Sequence, residues 1–196
     1  MAVDNPRGAW PIRRLDGSVN FRSKLYHRTA SGAAAADQLF PGDIVKLTAT
    51  GEPTLVSAGD TVHPVLGVVK GVLDANQRPR THSLPTGNAF LSASTEGWVD
   101  IYDDPDIVYG IQIDASVLET DIGSNVDVTA GNPSTARNTS GFQAQTIGTG
   151  ATAIFRIVGL SAFEIDGEPP GSLFGGDNRD LEVLIINHAF RTNAGV

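Results

Sequence analysis

The chain has 196 residues, of which 40% are hydrophobic and 18% charged, so it holds enough apolar material for one folded domain and is not disordered throughout. It contains no cysteine, which excludes disulfides, thiolate metal sites and a cysteine nucleophile. Its formal net charge of −8 argues against binding to a nucleic-acid backbone, because that interaction needs clustered basic residues on one surface.

The first 28 residues differ in charge from the rest of the chain. They hold six basic and two acidic residues, a net charge of +4, whereas the residues after them sum to −12. This first stretch is rich in Arg, Gly and Pro and shows no apolar periodicity on which a helix or strand would form. We therefore predict two parts, an extended basic N-terminal arm over residues 1–36 and a β-rich body over residues 37–196.

Arginines and aromatic residues are interleaved along the predicted arm, and both types are enriched at the centres of protein interfaces. This composition favours a binding role, in which the arginines pair with carboxylates of a partner and the aromatic rings fill apolar pockets beside them. The alternative is that the arm packs against its own body. If the arm is separate, deletion of residues 1–28 leaves the body folded. The predicted partner-binding residues are Arg7, Trp10, Arg13, Arg14, Phe21, Arg22, Lys24, Tyr26 and Arg28.

Beyond the arm, short apolar and β-branched runs alternate with turns, and the 22 Gly and 11 Pro indicate many turns and few long helices. The clearest period-2 pattern places Ile107, Tyr109 and Ile111 on one face, which predicts a half-buried antiparallel strand. The main helix signal is a capping-box pattern at residues 116–119, which ends within two turns. The predicted strands cover residues 44–48, 54–57, 62–72, 90–91, 97–102, 107–113, 124–129, 152–160 and 181–187.

About eight to ten strands at this spacing are typical of an antiparallel sandwich or barrel. The intervening sequence includes a polar loop at residues 130–141 and a Gly/Pro-rich loop at residues 167–178. The predicted fold class is therefore mostly β, an antiparallel β-barrel or sandwich with an extended N-terminal arm and long Gly/Pro loops.

One carboxylate cluster, Asp100, Asp103, Asp104 and Asp106, has the hard oxygen ligands that Ca²⁺ prefers. It lacks the alternating order and the distal Glu of a calcium-binding loop. We interpret it as a turn between two strands, in which Asp caps the backbone and Pro105 fixes φ, with a structural ion left open as the alternative.

No other pattern predicts catalysis or a cofactor. The histidines at positions 27, 63, 82 and 188 are isolated and have no zinc-ligand spacing. Residues 148–153 imitate a phosphate-binding glycine motif but lead into a strand rather than a helix. A hydrolase needs two carboxylates that face each other, and the sequence gives no basis for pairing its glutamates in this way. We therefore predict no catalytic residues, no metal and no cofactor, and a protein that is not an enzyme.

Three segments in the first half of the body carry a family resemblance. They are Gln-Leu-Phe-Pro-Gly-Asp-Ile-Val-Lys-Leu at residues 38–47, Leu-Val-Ser-Ala-Gly-Asp at residues 55–60, and Val-Leu-Gly-Val-Val at residues 65–69. Their layout resembles that of the small β-barrel head decoration proteins of tailed bacteriophages, over roughly residues 38–128. Residues 155–160 and 184–188 look similar to segments of marine and cyanobacterial phage capsid-stabilising proteins.

The resemblance implies a structural virion protein, a capsid decoration or cement protein that binds the outer surface of an icosahedral phage head and bridges major capsid subunits. Its implied partners are the major capsid protein and further copies of itself, as a dimer or trimer on the capsid, with no nucleic acid and no membrane. Its implied location is the outer capsid surface of the virion, after synthesis in the host cytoplasm. The alternatives are another virion or tail β-module, and a carbohydrate-binding or hydrolytic β-domain in which Trp98 and Tyr102 stack on a sugar ring.

Overall fold

A computed structural model describes residues 6–31, 37–57, 64–81, 88–148, 153–160 and 178–191. The described residues form eleven β-strands and a single 3₁₀ turn, so the mostly-β prediction is confirmed. In chain order the strands are β1 Trp10–Arg14, β2 Lys24–Arg28, β3 Ile44–Leu47, β4 Pro53–Leu55, β5 Val65–Asp74, β6 Gly97–Tyr102, β7 Ile107–Gln112, β8 Asn125–Ala130, β9 Phe142–Ile147, β10 Phe155–Leu160 and β11 Asp180–Ile185.

The strands form two antiparallel sheets. The six-stranded sheet has the order β1-β7-β11-β10-β8-β9, and the five-stranded sheet has the order β2-β6-β5-β3-β4. Of the two predicted architectures, a sandwich-like arrangement fits and a closed barrel does not. Both remained open at the level of sequence because strand spacing does not say whether the outer strands of a sheet meet.

Two clusters of buried side chains stabilise these sheets. The larger one covers one face of the six-stranded sheet and also receives Ile44 and Val68 from the five-stranded sheet. The smaller one lies on the other face of the five-stranded sheet and includes Val45 and Val69. Because neighbouring side chains of a strand point to opposite faces, β5 contributes to both clusters and is buried on both faces from Val65 to Val69.

Strand β7 departs from its predicted half-buried character. Its apolar face, with Ile107, Tyr109 and Ile111, enters the larger cluster as the periodicity predicts. Its other face is also covered, because β1 pairs with β7 and brings Trp10 over Gly110. A Cβ atom at position 110 would lie 2.4 Å from the indole, so only glycine leaves room for this contact.

The segment predicted to be an extended arm contributes a strand to each sheet. Strand β1 pairs with β7 in the larger sheet, and β2 pairs with β6 in the smaller one. For residues 6–31 the structure therefore matches the alternative in which the segment packs against its own body. Its many charged side chains give no apolar strand pattern in the sequence. The two strands are instead stabilised by backbone pairing and by a few contacts with residues distant in sequence. Residues 1–5 and 32–36 lie outside the described residues, and the boundary at residue 36 stays a prediction.

The connections differ in detail from the sequence pattern. The predicted helix is a 3₁₀ turn at Glu119–Asp121, and the capping carboxylate is that of Asp121, whose Oδ2 accepts a hydrogen bond from the Leu118 backbone N–H at 2.7 Å. Strand β9 was not predicted. Nearly all of the predicted loop at residues 167–178 lies outside the described residues. No helix in the described part of the chain is long and apolar enough to cross a membrane.

Candidate interaction surface

Strand β1 lies at one edge of the six-stranded sheet, where Trp10 is enclosed from two sides. Gly110 of β7 lies against the indole, and the Arg7 guanidinium stacks on the ring with 4.3 Å between its Cζ atom and the ring centroid. A cation over an indole is attracted by the electron density of the ring face. The indole is therefore committed to contacts within the chain.

Two arginines of this segment reach across β7 to carboxylates on β11. Arg7 donates to Asp180 at 2.7 Å, and Arg13 donates to Glu182 at 2.9 Å. Burial raises the pKa of Asp180, and the charge of Arg7 offsets part of that shift. Because both pairs span the intervening strand, they tie β1 to the second strand inward as well as to its direct neighbour.

The chain passes between the two sheets twice at the same place. Residues 15–23 connect β1 to β2, and residues 103–106 connect β6 to β7. The two connections are hydrogen bonded, since the Leu15 backbone N–H donates to the Asp106 carbonyl at 2.8 Å. Arg191 of the C-terminal turn forms an ion pair with Asp106. We call residues 14–24, 103–106 and 188–191 together the corner.

Asp103 is the more deeply buried of the two buried carboxylates of the corner, the other being Asp104. Its Oδ1 accepts a hydrogen bond from Arg22 Nε at 3.0 Å, and its Oδ2 accepts one from the Tyr26 hydroxyl at 2.9 Å. Arg22 also donates through NH2 to the Asp103 carbonyl. Burial, together with the bond to Asp103, holds the pKa of Tyr26 well above its ordinary value, so the phenol remains a donor. These bonds fix the start of β2 to the end of β6.

The other carboxylates of this turn are also engaged within the chain. Asp104 Oδ1 accepts the Asp106 backbone N–H at 3.0 Å, which is the backbone cap predicted from the sequence. Arg14 Nε lies 3.1 Å from Asp104 Oδ2, and Asp100 pairs with Lys70 of β5 at 3.0 Å. Among the described residues, no group of three or more histidine or carboxylate side chains is arranged to hold a metal ion.

An open groove of about 470 Å³ lies beside Asp103. Its cations are exposed and its anion is buried: the Arg22 side chain is 58% exposed, whereas that of Asp103 is 3% exposed. Phe190, 54% exposed, adds an aromatic ring. The rim of the groove is consequently cationic and apolar. Its lining residues are Arg22, Ser23, Lys24, Asp103, Pro105 and Phe190.

Phe21, Lys24 and Tyr26 have contacts of their own within the chain. Phe21 meets the Tyr102 ring edge-on, with 6.0 Å between centroids, and packs against the larger cluster. The Lys24 ammonium lies 5.5 Å from the centroid of the Tyr26 ring and is exposed. Of these three, only Lys24 is exposed, and the other two are partly buried.

Arg28 is fully buried and therefore does not lie on a surface where a partner could contact it. Its guanidinium donates to three backbone carbonyls, those of Asp37, Ser92 and Thr95. Burial lowers its pKa from the ordinary value. The predicted partner-binding role is replaced here by an internal one, in which Arg28 joins the end of β2 to two loops. Composition alone gives no signal that separates this arginine from the exposed ones.

Two further buried side chains, His188 and Asp43, have pKa values that burial shifts from the ordinary ones. His188 in the corner is fully buried, its Nδ1 accepts the Phe190 backbone N–H at 3.1 Å, and burial lowers its pKa to about 4. Asp43 precedes β3 and accepts the Phe40 backbone N–H at 2.7 Å, and burial raises its pKa to about 7. The turn that holds Asp43 meets the chain just before β1, because the Ala9 N–H donates to the Gly42 carbonyl.

The nine residues predicted to bind a partner therefore separate into groups. Arg22 and Lys24 line the groove, whereas Arg7, Trp10 and Arg13 bind the outer face of the six-stranded sheet. Arg14 pairs with carboxylates of the corner, and the remaining three are the partly or fully buried Phe21, Tyr26 and Arg28. Sequence reasoning missed Phe190 and Arg191. The available signal was an aromatic residue in the polar stretch after the last strand.

The aromatic pair considered for sugar stacking is also engaged within the chain. Tyr102 packs against Phe21 and the larger cluster, and the Trp98 ring lies 4.9 Å from that of His27. His27 in turn approaches Glu96 at 3.2 Å. These contacts disfavour a sugar platform formed by Trp98 and Tyr102 together.

Comparisons with protein-family models, with curated proteins and with solved structures found no match to this chain.

Proposed function

We propose that this protein is a capsid decoration protein, which binds the outer surface of the icosahedral head of a tailed bacteriophage and bridges neighbouring major capsid subunits. One observation carries the proposal. The three sequence segments that resemble phage decoration proteins each supply part of β3, β4 or β5, and these strands are neighbours in the order β5-β3-β4. The likeness in chain order thus corresponds to one contiguous part of a sheet.

The turn that opens the first of these segments has a structural task that explains its residues. Gly42 has φ +92°, a conformation that favours glycine, and a Cβ there would lie 2.6 Å from the Arg7 carbonyl. Asp43 caps Phe40 from the end of the same turn. The Pro-Gly-Asp turn therefore packs the N-terminal segment against the five-stranded sheet. This specific structural role supports the use of these three residues as part of the resemblance.

The physical task of a decoration protein suits this architecture. A filled head pushes outward, and a protein that contacts two neighbouring subunits resists this by burying surface on both, without chemistry. Two sheets joined at a hydrogen-bonded corner form a body able to carry such a load. The exposed apolar and cationic side chains of the corner supply an attachment surface.

Co-sedimentation tests the proposal directly. The purified protein is mixed with filled heads of the phage that carries its gene, prepared without the protein, and with isolated tails of the same phage. We expect the protein to sediment with heads in a saturable manner and at a fixed ratio to the major capsid protein. After the bound protein is released from the heads, we expect analytical ultracentrifugation to show a dimer or trimer. Sedimentation with tails alone would identify the tail-module alternative, and sedimentation with neither would reject a virion role.

A further inference from the structure

We propose that the groove beside Asp103 binds an acidic segment of a partner protein, with Arg22 and Lys24 contacting its carboxylates and Phe190 contacting an apolar side chain next to them. This inference deepens the proposed function, because it gives the chemistry of the capsid surface that the protein would contact. It rests on that function only for the identity of the partner.

The charge of the groove favours an anionic occupant. Arg22 uses Nε and NH2 to bind Asp103, which leaves NH1 without a hydrogen bond among the described residues. Lys24 also has no carboxylate partner among the residues that the structure describes, and its ammonium lies over the Tyr26 ring. Since the Asp103 carboxylate is buried and already satisfied, the charges left to meet a partner are positive.

Exposed large apolar side chains are frequent in the corner. Of the six that the described residues expose, four lie in or next to the corner in sequence. Phe190 lines the groove, and Val19, 73% exposed, and Leu15, 50% exposed, lie on the connection that is hydrogen bonded to Asp106. The fourth residue, Leu25, follows Lys24 in β2 and therefore points to the opposite face of that strand. Phe190 is thus the apolar contact that the groove itself offers a partner.

The Arg22 guanidinium is held in place before any partner arrives. Two hydrogen bonds to Asp103 fix the Arg22 guanidinium, and Lys70 donates to the Ser23 hydroxyl at 3.1 Å while pairing with Asp100. A preorganised site loses less side-chain entropy on binding. A nucleic-acid backbone is a poorer occupant, because two exposed cations on a chain of net charge −8 do not make the basic tract that phosphates require.

The test uses ¹⁵N-labelled full-length protein and the acetylated peptide Asp-Leu-Glu-Phe-Asp, followed by heteronuclear NMR. We expect saturable shifts concentrated in the amides of residues 22–24, 103–106 and 188–191, with the Asn-Leu-Gln-Phe-Asn peptide binding at least tenfold more weakly. Lys24→Glu should weaken binding of the acidic peptide at least tenfold, and Phe190→Ala should weaken it several-fold. Both side chains are exposed, and the variant spectra report directly whether the fold is retained.

Arg78→Glu is the matched control. It makes the same charge change at an exposed position beyond Asp74, which pairs with Gly97 at the end of the sheet opposite Asp103. It should leave the dissociation constant within twofold of the unmodified protein. An equal effect of Arg78→Glu and Lys24→Glu would reduce the interaction to net charge and overturn the proposal.

Three other results would also overturn it. The first is equal binding of the neutral peptide. The second is a stronger shift of the same amides by an oligothymidine of matched charge. The third is a concentration-dependent shift of these amides without peptide, which would assign the groove to a second copy of the chain. Head sedimentation separates the two proposals. If peptide binds in the groove but heads do not bind the protein, the proposed function fails alone; if heads bind unmodified protein and Lys24→Glu equally, the groove proposal fails alone.

Discussion

Strands β1 and β2 come from the same basic stretch of chain, yet different interactions hold them to their sheets. Strand β1 depends on partly exposed ion pairs, Arg7 with Asp180 and Arg13 with Glu182, and on one indole over a glycine. Strand β2 ends in the fully buried Arg28. Exposed ion pairs contribute about 0–1 kcal/mol each, whereas a buried polar group left without a partner costs about 1–3 kcal/mol. Burial, not residue type, decides what an arginine contributes here.

The largest expected effect is that of deleting residues 1–28. The deletion removes both strands, uncovers β7 and β6, and leaves the partners of Arg28 unsatisfied. We expect loss of cooperative unfolding, since an ordinary domain has only about 5–15 kcal/mol of stability in total. Urea denaturation followed by tryptophan fluorescence measures it, and addition of residues 6–28 as a peptide should restore the transition. A truncated chain as stable as the full one would instead support the separate arm expected from the sequence.

Arg28→Met tests the β2 half of the comparison. The substitution retains the apolar stem but removes the buried guanidinium that donates to three backbone carbonyls, so we expect a loss of about 3–5 kcal/mol in the free energy of unfolding. Arg78→Met, at an exposed turn, is the matched control and should change stability by less than about 0.5 kcal/mol. Equal effects of the two substitutions would show that burial of the guanidinium is unimportant.

Asp43 near β1 and His188 in the corner should shift stability with pH in opposite directions. The unfolded Asp carboxyl ionises near pH 3.8 but the folded one only near 7, so this group destabilises the fold as pH rises between those values. The unfolded His ring protonates below pH 6.5 but the folded one only below about 4, so this group destabilises the fold as pH falls. Between about pH 4.5 and 6.5 the two effects oppose each other.

Asp43→Asn should therefore reveal the pH dependence of stability that His188 contributes. Relative to the unmodified chain, the variant should lose about 1.4 kcal/mol more stability for each pH unit of acidification from 6.5 to 4.5, one proton's linkage. The amide oxygen can still accept the Phe40 N–H, so the cap is preserved. Urea midpoints measured across this range check the expectation. A variant profile parallel to that of the unmodified protein would contradict the pKa assigned to Asp43.

Gly110→Ala tests the contact of β1 with β7. The added methyl group would meet the Trp10 indole at 2.4 Å, so the indole or the strand must move, with an expected cost of about 1–3 kcal/mol. Trp10→Leu in the same background should recover part of that loss. Gly17→Ala makes the same change where nothing lies within 4 Å, although its φ of +83° adds backbone strain. Thermal unfolding measures both variants. If Trp10→Leu recovers none of the lost stability, the clash between the added methyl group and the indole is contradicted.

Arg13→Ala should give the smallest effect. Its partner Glu182 is partly exposed, as is Arg13 itself, so we expect a loss of about 0–1 kcal/mol that diminishes further at 1 M salt. A double-mutant cycle with Glu182→Ala isolates the pair from other effects of each substitution. A coupling energy above 2 kcal/mol would place β1 in the same class as β2 and remove the contrast between the strands.

The parts of the fold that the sequence predicts are those with an apolar pattern of their own. Strand β7 alternates cleanly, and β10 and β11 are recognisable as apolar runs, because each directs its apolar side chains into the larger cluster. Strands β1 and β2 carry charged or aromatic residues whose partners lie up to 169 positions away, so no local pattern reports them. Strand β9 was missed because two of its six side chains are glutamines, which leaves it without an apolar run.

The candidate site shows the same division. Arginine and aromatic composition directs attention to residues 7–28, and Arg22 and Lys24 of this stretch line the groove. It cannot tell that Arg28 is buried or that Phe190 joins these residues from the far end of the sequence. Both facts depend on which strands become neighbours, and strand pairing is a property of the whole chain.

The clamping of β1 from β11 also sets an order of events during synthesis. Arg7 and its partner Asp180 are separated by 173 positions, so at about 5–20 residues per second Asp180 is made roughly 9–35 seconds after Arg7. Strands β6 and β7, which pair with β2 and β1, are made earlier than Asp180, but the basic stretch emerges ahead of all of them. Its charge then acts as a solubilising device, because like charges discourage aggregation of nascent chains. The residues that fasten the sheet in the finished protein would keep the unfinished one in solution.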